Sequence, residues 1–203
     1  MTKLKLAFNE SWNGVFKPEE LNLLLVFQVN CPGCFMHAFP MVKEVLSKYE
    51  ANLNFVAMST AFEDFDLNTA ANTELLLEQN EFVGETKKAD QVYQFKDDNL
   101  PGNYPILMDE LENTNDFLTP ELIESICQTN PHYELWTDKD QKLLQQKVIE
   151  YYGSMGMFAH TFNLNQFRGT PTFVLFNKDY DILDSWFGDK PFSEIESIID
   201  KWI

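Results

Sequence analysis

The stretch LLLVFQVNCPGC, residues 23–34, decides the fold of this chain. The continuous apolar run over residues 23–27 is typical of a strand that is covered on both faces. Apolar residues then recur at helical spacing and predict a helix over 34–49. A two-cysteine motif at such a junction places its first sulfur over the unpaired N–H groups of a helix start, which favour a thiolate. The motif therefore indicates redox chemistry rather than a structural bridge.

Composition limits the other function classes. The chain has 203 residues, 44% of them hydrophobic, which is enough for one sizeable core or a core with an inserted subdomain. Its net charge of −17 disfavours nucleic acid and anionic membranes, which are bound mainly through Lys and Arg. The apolar runs are far shorter than a bilayer span. Residues 1–7 lack the apolar block of a secretory signal, so we expect a cytoplasmic protein, or a periplasmic one if a signal has been removed.

The middle of the chain continues the α/β pattern. A second strand over 52–58 completes a βαβ unit with the helix at 34–49. Helical stretches follow from about 69 to 82 and near 86–96. Residues 104–109 form a short predicted strand, in which the early Pro105 indicates an edge position or a strand beginning.

Residues 110–150 are predicted to be an all-helical insertion. Thr119 is a predicted N-cap with Pro120 at the first helical position. Asp138 with Gln141 resembles a capping box for the next helix.

A β-pattern returns after the insertion. Two strands are predicted over 172–176 and 182–187, joined by a turn. A final helix begins at about residue 192 and is predicted to pack an apolar face that includes Trp202. A single domain over residues 1–203, with an insertion, fits this order.

Two motifs make a family resemblance specific. Residues 169–173, GTPTF, open the strand after the insertion, and residues 31–34 carry C-P-G-C. With the order of elements, they resemble the thioredoxin superfamily. The segment 26–40, with its His37 and Pro40, resembles the TlpA-like or redoxin branch, which is related to AhpC-TSA proteins. The resemblance implies an α/β thioredoxin-like fold, a central mixed β-sheet flanked by helices, with a helical insertion before the cis-proline strand.

The resemblance also implies an activity. The protein would be a thiol–disulfide oxidoreductase in which Cys31 attacks and Cys34 resolves, acting on protein thiols and disulfides with an upstream redox donor. No cofactor is expected beyond the Cys31–Cys34 disulfide, and no metal. Pro32 and Gly33 carry no charge that could stabilise the thiolate, which favours the reductase direction.

The expected support around the dithiol comes from the later loop. Thr170 and Pro171 would face Cys31 through a cis peptide bond, offering backbone partners to a substrate strand. Arg168 is the only arginine of the chain and stands three residues before Pro171. It would either favour the thiolate or hold an acidic substrate group, or it is a surface cation.

Several positions depart from the family pattern. Leu25 stands where thioredoxins place a buried acid, and Asn30 where they usually have an aromatic residue. Glu63 or Asp64 is a candidate proton acceptor, although a solvated acidic loop is the favoured interpretation. Pro40 follows Cys34 by six residues rather than five, so the kink in this helix is expected to be displaced.

Other functions stay open at this point. A DsbA-like oxidase or isomerase also has a helical insertion before the cis-proline. A non-catalytic module could bind a partner or a metal, but zinc would need two further ligands beside the two cysteines. The remaining candidate ligands are Cys127, His37, His132 and His160. Of these, Cys127 is expected to be buried as a small hydrophobe and His37 to lie on a helix surface.

Overall fold

The computed structural model describes residues 2–203, apart from the side chains of Asn115 and Asp116. The strands are β1 (Phe8–Trp12), β2 (Asn22–Phe27), β3 (Asn54–Ser59), β4 (Ile106–Asp109), β5 (Leu111–Asn113), β6 (Met157–Ala159), β7 (Thr172–Phe176) and β8 (Ile182–Phe187). The helices are α1 (Phe39–Tyr49), α2 (Ala70–Gln79), α3 (Gly84–Tyr93), α4 (Thr114–Phe117), α5 (Pro120–Cys127), α6 (Asp138–Gly153), α7 (His160–Leu164) and α8 (Phe192–Ile199). None of the helices in this part of the chain is both long and apolar enough to cross a membrane.

Six strands form one mixed sheet in the order β1-β4-β3-β2-β7-β8. Strands β2, β3 and β4 run parallel, and the other pairings are antiparallel. All six residues of β2 are buried, which confirms a strand covered on both faces. Strand β4 pairs with β1 and β3, so Pro105 marks a strand beginning and not an edge. Strand β1 was not predicted, because nearly all of its residues are exposed and carry no apolar pattern.

The two faces of the sheet pack against different elements. Leu23, Leu25 and Phe27 point into one apolar cluster that includes α1 and α8. Leu24 and Val26 point into a second cluster on the other face. This division follows from the alternation of side chains along a strand. The helix that carries the dithiol therefore lies on the face of Leu25 and Phe27.

The prediction of an all-helical insertion over residues 110–150 is wrong, because the segment after β4 begins with a strand. Strand β5 pairs antiparallel with β6, so a two-stranded ribbon forms the base of the inserted helices α4 to α6. Both strands are only three residues long, too short for their pattern to be recognised in the sequence. The insertion thus leaves and re-enters the main domain through paired strands.

The helix ends confirm one capping prediction and correct another. Thr119 caps α5 by accepting the N–H of Leu122, with Pro120 at the first helical position. Helix α6 is capped by Thr137, which accepts the N–H of Asp140, so the Asp138–Gln141 capping box is wrong. The hydroxyl of Thr137 stands one residue earlier and already fills the cap position.

The last helix forms as predicted, but the predicted packing of Trp202 is absent. Helix α8 buries Ile195, Ile198 and Ile199. Trp202 is 46% exposed, so its predicted packing is wrong. The helix ends at Ile199, three residues before Trp202. Trp202 is therefore not part of the helical face that packs on the core.

A buried carboxylate holds the end of the insertion against the sheet. Asp109, at the end of β4, is 0% exposed. Its Oδ1 accepts the N–H of Thr161 at 2.8 Å, and its Oδ2 accepts the N–H of Phe162 at 3.1 Å and the hydroxyl of Thr60 at 2.7 Å. Burial raises the pKa of Asp109 to about 6, although the three donors oppose this shift.

We expect Asp109 to make stability depend on pH. Its pKa is higher in the folded chain than in the unfolded one, so its contribution is complete below about pH 4 and is lost as the pH rises through about 6. This difference in the pKa of Asp109 between the folded and unfolded chain corresponds to about 3 kcal/mol of unfolding free energy. Urea unfolding should therefore show the stability of the wild type, relative to Asp109→Asn, decreasing from pH 4 to pH 7. A relative stability that is flat or rises with pH would contradict this account.

Candidate active site

The two cysteines lie at the start of the helix that follows β2. They form a disulfide with the Cα atoms 5.4 Å apart. Cys31 is partly exposed, whereas Cys34 is 0% exposed. The backbone N–H of Cys34 points at Cys31, with its nitrogen 3.3 Å from Sγ and 2.9 Å from the carbonyl oxygen. The first sulfur thus lies at the positive end of a helix, and the second lies beneath it.

The loop before β7 faces the exposed sulfur. The Thr170–Pro171 peptide bond is cis, and the carbonyl oxygen of Thr170 lies 3.6 Å from Sγ of Cys31. The Thr170 hydroxyl donates to Oε1 of Gln28 at 3.1 Å. Gln28 is almost fully buried at the end of β2, and its Nε2 donates to the carbonyl of Glu63. The structure therefore brings Cys31, Cys34, Thr170 and Pro171 together.

The residues between the cysteines leave this side of the site open. Pro32 and Gly33 are half-buried. A Cβ added at Gly33 would meet no heavy atom within 4 Å beyond its chain neighbours and the backbone of its own helix. By contrast, a Cβ at Gly169, beside the Thr170 loop, would come within 2.7 Å of the Phe187 ring. The loop before Pro171 is thus closely packed, whereas the space over Gly33 is free.

Five phenylalanine rings, two of them on the dithiol helix itself, pack together. Phe35, directly after the second cysteine, is 0% exposed. Its ring centroid lies 5.2 Å from that of Phe39, 5.1 Å from that of Phe82 and 6.4 Å from that of Phe95. Phe27, at the end of β2, contacts Phe39 edge-on at 5.1 Å. Such pairs add to the stabilisation from burial itself, and they fix the helix to the sheet.

Asn30 joins three segments next to the reactive sulfur. Its backbone N–H donates to Oδ1 of Asn68 at 2.9 Å, and its Nδ2 donates to Asp64 at 2.8 Å. Its Oδ1 accepts the N–H of Glu85 at 2.7 Å, in the first turn of α3. The backbone bond is available to any residue except proline, but an amide can make both side-chain bonds and an aromatic side chain cannot. Sequence reasoning noticed the unusual residue but not this role, because the partners lie 34 to 55 residues away.

Of the remaining candidates, Glu63 and Asp64 reach this arrangement only through Gln28 and Asn30, which donate to the Glu63 carbonyl and to the Asp64 carboxylate. The side chains of Glu63 and Asp64 are exposed, which agrees with a solvated acidic loop. Arg168 is exposed, and among the described residues it makes no hydrogen bond or ion pair. Leu25 is buried in the same apolar cluster as Cys34. Cys127 is buried and His37 is exposed, both as expected. Among the described residues, no group of three His, Cys, Asp or Glu residues is arranged to hold a metal ion.

Comparison with known proteins identifies the architecture. No protein-family model matches the chain, and no curated protein sequence matches it significantly. A thioredoxin-like superfamily protein of known structure is 17% identical, with 100% of this chain and 96% of that chain covered and a TM-score of 0.60. A thiol-disulfide isomerase from Corynebacterium glutamicum is 15% identical, with 99% and 95% covered and a TM-score of 0.55. This chain has a thioredoxin-like fold.

A third structure agrees with this assignment. It is assigned as a thiol:disulfide interchange protein DsbE from Chlorobium tepidum and is 14% identical, with 98% of this chain and 94% of that chain covered and a TM-score of 0.53. At such identities the likeness concerns the fold. The thioredoxin-like fold expected from the sequence, with its central mixed sheet flanked by helices, is thereby confirmed.

The contact between Asn30 and α3 can be tested at Gly84. This glycine has a φ of +51°, and a Cβ would come within 2.2 Å of Oδ1 of Asn30. Gly156 also has a positive φ, but nothing lies within 4 Å of its Cβ position. Both alanine variants should lose about 1 kcal/mol from backbone strain. Gly84→Ala should lose about 1 kcal/mol more, because it displaces the Asn30 amide from Glu85.

Chemical denaturation of the two variants measures this difference. In an Asn30→Ala background the cost at position 84 should fall by about 1 kcal/mol, because only the contact with Cδ1 of Leu67 at 2.9 Å remains, and the cost at 156 should be unchanged. Equal losses for the two alanines in the wild-type background would mean that Asn30 does not hold α3.

Proposed function

We propose that this protein is a thiol–disulfide oxidoreductase of the TlpA-like type, working as a reductase of protein disulfides. One observation carries the proposal: the two sulfurs are unequal. Cys31 is partly exposed at a helix start, and Cys34 is fully buried one turn further on. Dithiol exchange needs such a pair, because one sulfur must meet the substrate and the other must be kept from it.

The reaction follows from this inequality. In the reduced protein the Cys31 thiolate attacks one sulfur of the substrate disulfide, and the other substrate sulfur leaves as a thiolate that takes up a proton. The Cys34 thiol, losing its proton, then attacks Sγ of Cys31, which releases the second substrate thiol and forms the Cys31–Cys34 disulfide. Two electrons pass from the dithiol to the substrate. An upstream dithiol donor restores the reduced state by the same steps in reverse.

The Thr170 loop gives the substrate a place to lie. The carbonyl of Thr170 lies beside Sγ of Cys31, and the space over Gly33 is free. An extended substrate segment could pair with the backbone here, as in strand addition. Thr170 and Pro171 would thus bind substrate, and Arg168 would act as an exposed cation at the edge of this surface.

The reductase direction rests on the residues between the cysteines. Pro32 and Gly33 bring no charge to Cys31, so they do not stabilise the reduced thiolate. A reductase of this kind needs no cofactor beyond its own disulfide. It would work in the cytoplasm, where the thiol pools are kept reduced.

The decisive experiment traps the substrate on Cys31. Cys34→Ser should accumulate mixed disulfides, detected on non-reducing gels and by mass spectrometry, because the resolving sulfur is missing. Cys31→Ser should form none and should not reduce insulin. Cys127→Ser is the matched control, since this cysteine lies at the end of α5 in an apolar cluster separate from that of Cys34, and it should behave as wild type.

The alternative functions give other results. A DsbA-like oxidase would oxidise reduced peptides faster than it reduces insulin. A binding module would show neither activity and would hold its partner without a covalent bond. Failure of the wild type to reduce insulin, together with an absence of adducts on Cys34→Ser, would refute the proposed function.

The free space over Gly33 allows the redox equilibrium to be shifted. The Cβ of a side chain at position 33 has room, and we expect Gly33→His to place an imidazole near Cys31. Its positive charge would stabilise the thiolate and so the reduced form. The equilibrium with glutathione should move about tenfold toward the dithiol, which is about 30 mV. Gly33→Ala is the control and should stay within about twofold. A His variant with the wild-type equilibrium would show that position 33 does not act on Cys31.

A further inference from the structure

The helix that carries the dithiol contains one extra residue. Residues Cys34–Ala38 form a π-turn, in which the N–H of Phe39 donates to the carbonyl of Cys34 five residues earlier. Such a turn inserts a residue into an α-helix. The six-residue interval between Cys34 and Pro40, noted in the sequence, is thus accommodated by the π-turn.

The π-turn and the proline together remove a hydrogen-bond donor. In the same register, the next bond would run from the N–H of residue 40 to the carbonyl of Phe35. Residue 40 is proline and has no N–H. Phe35 is 0% exposed, so water does not supply the missing donor easily. A buried carbonyl in this position needs a partner from elsewhere in the chain.

Asn99 provides that partner. Its Nδ2 donates to the carbonyl oxygen of Phe35 at 2.8 Å, across 64 residues of sequence. Its Oδ1 accepts the backbone N–H of Lys96 at 2.9 Å. Both ends of the amide are therefore used, and the two bonds fix its orientation.

The segment that presents Asn99 is itself attached to the dithiol helix. Asn99 ends a 3-10 turn over Asp97–Asn99. Nζ of Lys43, in α1, donates to the carbonyl of Asp97 and lies 3.5 Å from the carboxylate of Asp98. The ring of Phe95 stacks on that of Phe35. Asn99 is thus held in place from both sides of its turn.

We propose that Asn99 is a positioning residue for the dithiol: by donating to the Phe35 carbonyl in place of Pro40, it holds the π-turn that sets Cys34 against Cys31. The inference rests on the proposed function in that it concerns the redox equilibrium of this pair. A π-turn held in this way keeps the two sulfurs close and so favours the disulfide. Without the donor, the turn relaxes and the disulfide becomes less stable relative to the dithiol.

The test is the equilibrium of the Cys31–Cys34 pair with glutathione, followed by thiol alkylation and mass spectrometry of the full chain. Asn99→Asp keeps an acceptor for the Lys96 N–H but loses the donor to Phe35. We expect its equilibrium constant to shift about tenfold toward the dithiol, or about 30 mV. Asn99→Ser, a neutral and smaller change, should shift it in the same direction and serves if the Asp variant does not fold.

A second change gives the donor back. Pro40→Ala restores an N–H that can reach the Phe35 carbonyl. In the Asn99→Asp background it should return the equilibrium to within about threefold of wild type, although the added charge remains. Thr119→Ala controls for general destabilisation, because it removes a helix cap in the insertion and should leave the equilibrium unchanged.

Two results would overturn the inference: an equilibrium within about twofold of wild type in Asn99→Asp and Asn99→Ser, or a shift that Pro40→Ala does not reverse. Neither depends on enzymatic turnover. If the wild type fails to reduce insulin and Cys34→Ser forms no adducts, the proposed function is refuted, while the glutathione equilibrium still decides the role of Asn99.

Discussion

The burial of strand β2 on both faces is the constraint on which the rest of this structure depends. A strand with no exposed side chain must be covered by two separate layers, and its alternate residues accordingly enter two apolar clusters. Strand β2 is also paired on both sides, by β3 and β7. A shift in its register would move its buried side chains to the wrong face of the sheet, so its position is fixed. The end of such a strand is a fixed point, and the dithiol lies only a few residues beyond it.

Two side-chain amides hold the segments on either side of the dithiol in place. Asn30 continues β2 by bonding to the loop at Asp64 and Asn68 and to the start of α3. Asn99 bonds to the helix just after the second cysteine. One amide thus lies before the C-P-G-C motif and the other after it. Both join segments that are far apart in sequence, and together they keep the motif between two fixed ends.

The sequence predicted those features that depend on neighbouring residues. The apolar run of β2, the helix after Cys34, the strands around residues 172–187 and the capping of α5 by Thr119 all follow from local pattern and are found in the structure. Strand β1 and the β5–β6 ribbon could not be predicted, because their residues become ordered only by pairing with distant ones. The roles of Asn30 and Asn99 could not be predicted either, because their hydrogen-bond partners are also distant in sequence. Within the candidate site, the cysteines and the Thr170–Pro171 loop were found from motifs, and the residues that hold them were not.

Because the sheet divides the core in two, substitutions on one face affect the other face little. The segment that returns from the insertion, with Ala159 and Phe162, packs on the face of Leu24 and Val26, opposite the dithiol helix. The inserted helices also have small apolar clusters of their own, around Tyr133 and around Phe158. Substitutions in the insertion can therefore accumulate without reaching the packing beneath the cysteines. In evolution or in engineering, the insertion can be remodelled while the redox centre is kept.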